Sequence, residues 1–173
     1  MKGTIVKCLE ELIVTQFGKD KWEQALEGAG LSKKTMFFTL SDVDDAQVMK
    51  VVESVCKTLD ISLEQAAEAF GDYWVNNYSQ QVYGQYYKQN KTAKDFMLNL
   101  DDIHVTMTNT IQNAAPPRFT YDWKNDKTLV INYNSHRGLI DFAIGLAKGI
   151  GKFYKEELQV SKLSPKKFQI VFA

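Results

Sequence analysis

The hydrophobic pattern of this chain changes period once, and Pro116-Pro117 marks the change. Upstream, apolar residues recur every three or four positions, the spacing of helix faces. From Phe119 onward, β-formers gather in short runs separated by polar turns. Proline cannot continue a helix and restricts the residue before it, so the pair divides the two regimes. The predicted fold class is α+β. An N-terminal helical subdomain and further helices come first. A roughly four-stranded antiparallel sheet with one inserted helix follows.

Residues 2–17 predict a helix with Ile5, Leu9 and Leu12 on one face. Residues 19–27 predict a second, ended by Gly28 and Gly30. Residues 36–40 read as connecting structure, and residues 41–45 carry capping side chains and acids suited to a helix N-terminus. Val48, Val51, Val52, Val55 and Leu59 form the stripe of the next helix. Ser62-Leu63-Glu64-Gln65 has capping-box spacing and opens a helix to about Tyr78. An aromatic-dense stretch with Tyr83, Tyr86 and Tyr87 comes after it. Residues 91–113 predict one helix or two in series, ended by the proline pair. Residues 119–123 and 128–133 predict a hairpin about a polar turn, and residues 158–163 and 167–172 predict another. Between the hairpins, residues 138–154 predict a helix with Phe142 and Leu146 in its buried stripe. Its Gly145 and Gly149 leave room for a close neighbour.

At 173 residues the simplest organisation is one domain, and 45% hydrophobic residues argue against disorder. Zero formal net charge leaves no electrostatic footprint for nucleic acid or an anionic membrane. No apolar run is long enough to span a bilayer, and no signal-peptide pattern opens the chain, so a cytoplasmic location is expected. Cys8 and Cys56 make no CxxC or CxxCH motif, which argues against structural zinc and covalently attached haem.

Two constellations carry chemistry. Leu100, Ile103, His104, Met107 and Ile111 share one helix face, so His104 sits in an apolar stripe. A histidine there is either a core residue bonded to a backbone carbonyl or an axial ligand, since a neutral imidazole suits haem iron. Tyr133, Ser135 and Arg137 alternate at a strand end. If the strand continued, all three would face one way, with Asn134 and His136 facing the other. A phenol, a hydroxyl and a guanidinium form a carboxylate receptor, although a solvated strand end has the same pattern.

In combination these features resemble the H-NOX family, the haem nitric oxide/oxygen-binding domains, in the bacterial stand-alone form related to the haem domain of soluble guanylate cyclase. Met1-Lys2-Gly3-Thr4-Ile5-Val6 resembles the family's opening and Asp101-Asp102-Ile103-His104 its proximal-histidine segment. Pro116-Pro117 follows at the family's distance, and Tyr133-x-Ser135-x-Arg137 is similar to its propionate-binding signature. The resemblance implies one domain over 1–173, with a helical subdomain at 1–60 and a haem-bearing part at 61–173. It implies a non-covalent haem b with His104 as iron ligand. Tyr133, Ser135 and Arg137 would bind the propionates, and Pro117 would press on the porphyrin. Ile5, Leu9, Trp74, Tyr78, Phe142 and Leu146 would line the distal side. Oxygen-binding members carry a tyrosine where this chain has Phe142, so weak oxygen binding or none is expected. Trp74 and Tyr78 are read as pocket walls rather than donors.

The function so implied is a gas sensor rather than an enzyme. Nitric oxide or carbon monoxide binds ferrous haem, the bond to His104 weakens, and the His104 helix shifts. With no output segment in the sequence, the signal is expected to pass in trans to a partner such as a histidine kinase or diguanylate cyclase. A haem enzyme and a haem-free module that binds a carboxylate through Arg137 are the alternatives.

Overall fold

A computed structural model describes residues 1–173. The chain divides into two compact units, Met1–Ala66 and Ala67–Ala173. No helix is long and apolar enough to cross a membrane.

The first unit is helical. It holds α1 (Gly3–Phe17), α2 (Lys19–Gly28), α3 (Asp45–Leu59) and the start of α4 (Leu63–Tyr73). Leu9, Leu12, Leu26, Val51 and Val55 are among its buried side chains. Asp44 caps α3 by accepting from the Gln47 N–H at 2.9 Å. The expected capping box opens α4. Ser62 Oγ accepts from the Gln65 N–H at 3.1 Å, and the Gln65 carboxamide accepts from the Ser62 N–H at 2.8 Å.

In the second unit the helix does not stop near Tyr78. Residues Trp74–Tyr78 form a π-turn, and α5 (Ser79–Lys88) continues from it. The helix α6 (Ala93–Thr110) follows, with Thr92 as its cap. It ends six residues before Pro116, earlier than the proline pair alone requires. The hydroxyls of Thr106, Thr108 and Thr110 each bond a carbonyl four residues back. Such bonds and β-branching weaken the last turns. Ile111 is already extended, and Asn113 is left-handed at φ 59°.

The strands β1 (Arg118–Asn125), β2 (Thr128–Asn134), β3 (Leu158–Ser164) and β4 (Lys167–Phe172) form one antiparallel sheet in the order β1-β2-β4-β3. Between β2 and β3 lies α7 (Ile140–Tyr154). The fold class is α+β, as the change of period requires. Phe119, Leu129, Ile131, Tyr133, Phe168 and Ile170 are buried in the unit's core. Arg118, Thr120 and Asp122 alternate with the inward residues of β1 and are exposed. α6 packs on β1 and α7 on β3 and β4, so one sheet face is covered by helices.

Glycines set the approach of α4 to α7. A Cβ built on Gly145 would lie 2.2 Å from the Ala67 carbonyl oxygen, and one on Gly71 would lie 2.1 Å from the Gly145 carbonyl carbon. One on Gly149 would lie 2.7 Å from the Gly71 carbonyl oxygen. The room foreseen beside Gly145 and Gly149 is therefore filled by the α4 backbone. Ion pairs Lys148–Glu68 and Lys152–Asp72 flank this seam at 2.6 and 2.7 Å.

Gly145→Ala should lower stability by roughly 1–3 kcal/mol, because the intruding methyl meets rigid backbone. Gly84→Ala is the converse. Its Cβ would meet only the Gln80 carboxamide oxygen, at an ordinary contact distance of 3.8 Å, so alanine should stabilise α5 by roughly 0.5–1 kcal/mol. Urea unfolding midpoints of the two variants should move in opposite directions.

Candidate functional site

His104 lies on α6, one residue past the buried Ile103. Its Nδ1 is 2.7 Å from the Pro117 carbonyl oxygen. A carbonyl only accepts, so Nδ1 carries the proton and donates it. The other nitrogen, Nε2, is left as a lone-pair donor with no hydrogen bond inside the protein. Burial holds the ring's pKa below the ordinary histidine range, outweighing the opposite pull of the Pro117 bond. The ring is thus neutral at pH 7. Phe119 packs beside it, with ring centroids 5.5 Å apart.

One turn earlier, Asp101 fastens α6 to the start of β1. Its carboxylate accepts from Arg118 Nε at 2.8 Å, Arg118 Nη2 at 2.6 Å and the Phe119 N–H at 2.7 Å. The Asp101 N–H in turn donates to the Tyr121 hydroxyl at 3.3 Å. The Arg118 bond holds the Asp101 carboxyl below the usual carboxylate range, and burial pushes the Tyr121 phenol up to about 12. The residue before Arg118 is Pro117, whose carbonyl accepts the His104 hydrogen bond. Histidine orientation and helix anchoring therefore converge on residues 117–121. Sequence reasoning quoted Asp101 as part of a motif but gave it no role. The available signal was an acid one turn before the histidine and an arginine just past the prolines.

The strand alternation expected to turn Tyr133, Ser135 and Arg137 one way stops before Ser135. β2 ends at Asn134, and residues 135–139 leave the strand, with Gly138 left-handed at φ 65°. Tyr133 keeps its inward position, buried, with its ring 6.0 Å from Phe119. A turn rather than a pleat brings the other two together. Ser135 Oγ accepts from the Arg137 N–H at 3.3 Å, and Arg137 Nη1 donates to the Ala115 carbonyl at 2.5 Å. Arg137 thus holds the same short segment that carries Pro117. His136 is exposed on this turn.

Trp74 and Tyr78 bracket the π-turn, their rings 5.5 Å apart. Phe142 on α7 meets Phe70 edge-on at 5.4 Å, and Phe70 lies 5.9 Å from Trp74. These residues therefore form one aromatic cluster. Leu146, one turn beyond Phe142, packs on the unit's core. Ile5 and Leu9 belong to α1 in the first unit, half-buried and buried respectively. The donor set fits a haem: a neutral imidazole with a free Nε2, two hydroxyls and a guanidinium for carboxylates, and aromatic walls.

Asp101 supplies a pH test of the clamp. Its folded pKa is depressed, so its contribution is present above the unfolded carboxylate value of about 3.9 and is lost as pH falls through the folded value. Urea midpoints measured from pH 6 down to pH 3 should fall more steeply in the wild type than in Asp101→Asn. Parallel profiles would remove the clamp from the account.

The haem-NO-binding family model matches residues 2–162. The chain is 26% identical over 157 residues to soluble guanylate cyclase gcy-32 of Caenorhabditis elegans, covering 88% of this chain and 23% of that protein. It is 22% identical over 171 residues to soluble guanylate cyclase gcy-35 of the same organism, covering 96% and 25%. The chain spans about a quarter of the length of these curated relatives. Among solved structures, it is similar to an oxygen-binding H-NOX domain related to soluble guanylate cyclases. That match has a TM-score of 0.82 and 24% identity over 99% of this chain and 95% of the other. It is also similar to an H-NOX protein from S. oneidensis in the Fe(II)NO state, with a TM-score of 0.86 and 20% identity over 99% and 98%. At these identities the structural matches speak to the fold. The family match covers nearly all of the sequence, and the chain belongs to the haem-NO-binding family, the H-NOX domains, which are haem-based gas sensors rather than enzymes and are related to soluble guanylate cyclase.

Proposed function

We propose that this chain senses nitric oxide, and binds carbon monoxide, through one non-covalent haem b, and that it signals in trans to a partner such as a histidine kinase or diguanylate cyclase in the cytoplasm. The observation that carries this reading is His104, neutral, oriented through Nδ1 by the Pro117 carbonyl, with Nε2 free. Metal-ligating histidines are held in this way, the second nitrogen fixing tautomer and ring plane. The haem would supply a ferrous iron that takes the gas.

The chain's residues have distinct tasks in this reading. His104 Nε2 would ligate the iron. Tyr133, Ser135 and Arg137 hold the propionates, and the planar guanidinium suits a carboxylate better than an ammonium does. Pro117 would lie against the porphyrin with a ring that has no flexible side chain to yield. Trp74, Tyr78, Phe142 and Leu146 would line the distal side. Phe142 brings no hydrogen-bond donor to it. His104 sits on α6, so a haem held there would be coupled directly to that helix. The ligand biases a two-state element, and its influence is bounded by its differential affinity for the two states.

His104→Gly should lose native haem retention, and added imidazole should restore it by filling the vacated ligand site. His136→Ala should retain haem with an unchanged absorption spectrum. The reverse pattern between the two histidines would overturn the ligand assignment.

Arg137→Ala should weaken haem binding by roughly 1.5–3 kcal/mol, the worth of a hydrogen bond to a charged group. Arg137→Lys should recover only part of that loss. Transfer of haem to apomyoglobin measures both. Equal retention in all three proteins would exclude a propionate role.

A further inference from the structure

The most exposed large apolar side chains of the chain lie together in the first unit, between α2 and α3. Leu40 is 79% exposed, Met36 70% and Phe38 64%, and no other large apolar residue exceeds 55%. Thr35 and Phe37, which alternate with the first two, are half-buried. Single exposed hydrophobic residues are ordinary, but three within five positions form a patch.

The segment that carries the patch is fastened. The Gly3 and Thr4 N–H groups open α1, where a helix has no internal acceptors for them. They donate to the Ser41 carbonyl at 2.8 Å and the Thr39 carbonyl at 3.0 Å. The Val43 N–H donates to the Met1 carbonyl at 2.8 Å. The Ser41 N–H closes a turn onto the Phe38 carbonyl at 3.0 Å, and Ser41 Oγ donates to the same oxygen at 2.7 Å. A Cβ built on Gly3 would lie 2.0 Å from that oxygen, so only glycine permits this approach. The backbone of the segment is thus turned onto α1, while the Phe38 and Leu40 side chains stay in water.

Charges of opposite sign flank the patch. Lys33 and Lys34 precede it, and Lys33 pairs with Glu27 at 3.2 Å, which leaves one positive charge unbalanced. Asp42, Asp44 and Asp45 follow it. Lys2 pairs with Asp42 at 2.6 Å and the Met1 amino group with Asp45 at 2.5 Å, which leaves one negative charge. An apolar tip between a basic and an acidic shoulder is complementary to itself. A two-fold rotation brings each basic shoulder to the acidic shoulder of the other copy, with the tips packed between them. Zero net charge on the chain leaves little repulsion to oppose the encounter.

We propose that Met36, Phe38 and Leu40 form a self-association surface whose occupant is the same tip of a second copy of this chain. Three side chains cover less than the roughly 800 Å² per partner of a standard interface, so the dimer is a reversible one. This inference does not depend on the haem reading, because every residue it uses lies in the first unit.

Sedimentation velocity of the whole chain with haem bound, over rising concentration, should show a monomer–dimer equilibrium. Leu40→Ser should raise the dissociation constant about tenfold or more, the worth of burying a leucine side chain. Val82→Ser removes an apolar side chain 55% exposed on α5 and should change nothing. Lys34→Glu and Asp42→Lys should each weaken the homodimer by setting like charges against each other, and mixing the two variants should restore a heterodimer. A monomer at every concentration, equal association in Leu40→Ser, or no heterodimer from the mixture overturns the proposal. A monomer that pellets with phosphatidylcholine vesicles overturns it too, and gives the tip to a lipid surface.

Discussion

The bond from His104 Nδ1 to the Pro117 carbonyl joins the helical part of the second unit to its sheet. Asp101 reinforces the junction by gathering the Arg118 guanidinium and the Phe119 N–H onto one carboxylate. Exposed ion pairs contribute little by themselves. This one has bidentate geometry and shares its acceptor with a backbone N–H, so it sets the register of α6 against β1 as well as adding attraction. The side chain with a free nitrogen is thereby placed by two independent attachments to one five-residue segment.

The aromatic cluster depends on a different device. Glycines at 71, 145 and 149 bring the α4 and α7 backbones into contact, and no larger residue fits that spacing. Close approach allows the Asn76 carboxamide to reach the Gly149 carbonyl across the seam. The π-turn at Trp74–Tyr78 is therefore secured from outside its own helix. A π-turn left alone would give up good hydrogen-bond geometry. Here the carboxamides of Asn76 and Gln80 add hydrogen bonds to the Asp72 and Val75 carbonyls beside the turn.

The fold was largely legible because the two hydrophobic periods are clean and the proline pair separates them. Both hairpins, the inserted helix and the Ser62 capping box lie where the pattern places them. The misjudged boundaries have local causes. The helix after Trp74 continues because nothing at Tyr78 stops it, and no residue type announces a π-turn. α6 ends early because threonine hydroxyls compete for its last carbonyls, an effect weaker in sequence than proline. In the candidate site, residue types and order were readable. The geometry of Ser135 and Arg137 was not, because a period-2 rule was carried three residues past the strand's end, to Arg137. Asp101 escaped a role because its partners lie seventeen and eighteen positions away, beyond any local pattern.

The proline pair has a consequence beyond ending the helical half. Neither Pro116 nor Pro117 has an N–H, so at these positions the backbone offers only carbonyl oxygens. Prolines also hold their predecessors extended, which turns successive carbonyls outward instead of into a helical ladder. Two acceptors result, at Ala115 for Arg137 and at Pro117 for His104. Had Pro117 presented a donor, His104 Nδ1 would have accepted a proton and Nε2 would have carried one. No lone pair would then remain on Nε2. The backbone chemistry of this segment therefore selects the histidine tautomer, and with it the nitrogen able to bind a metal.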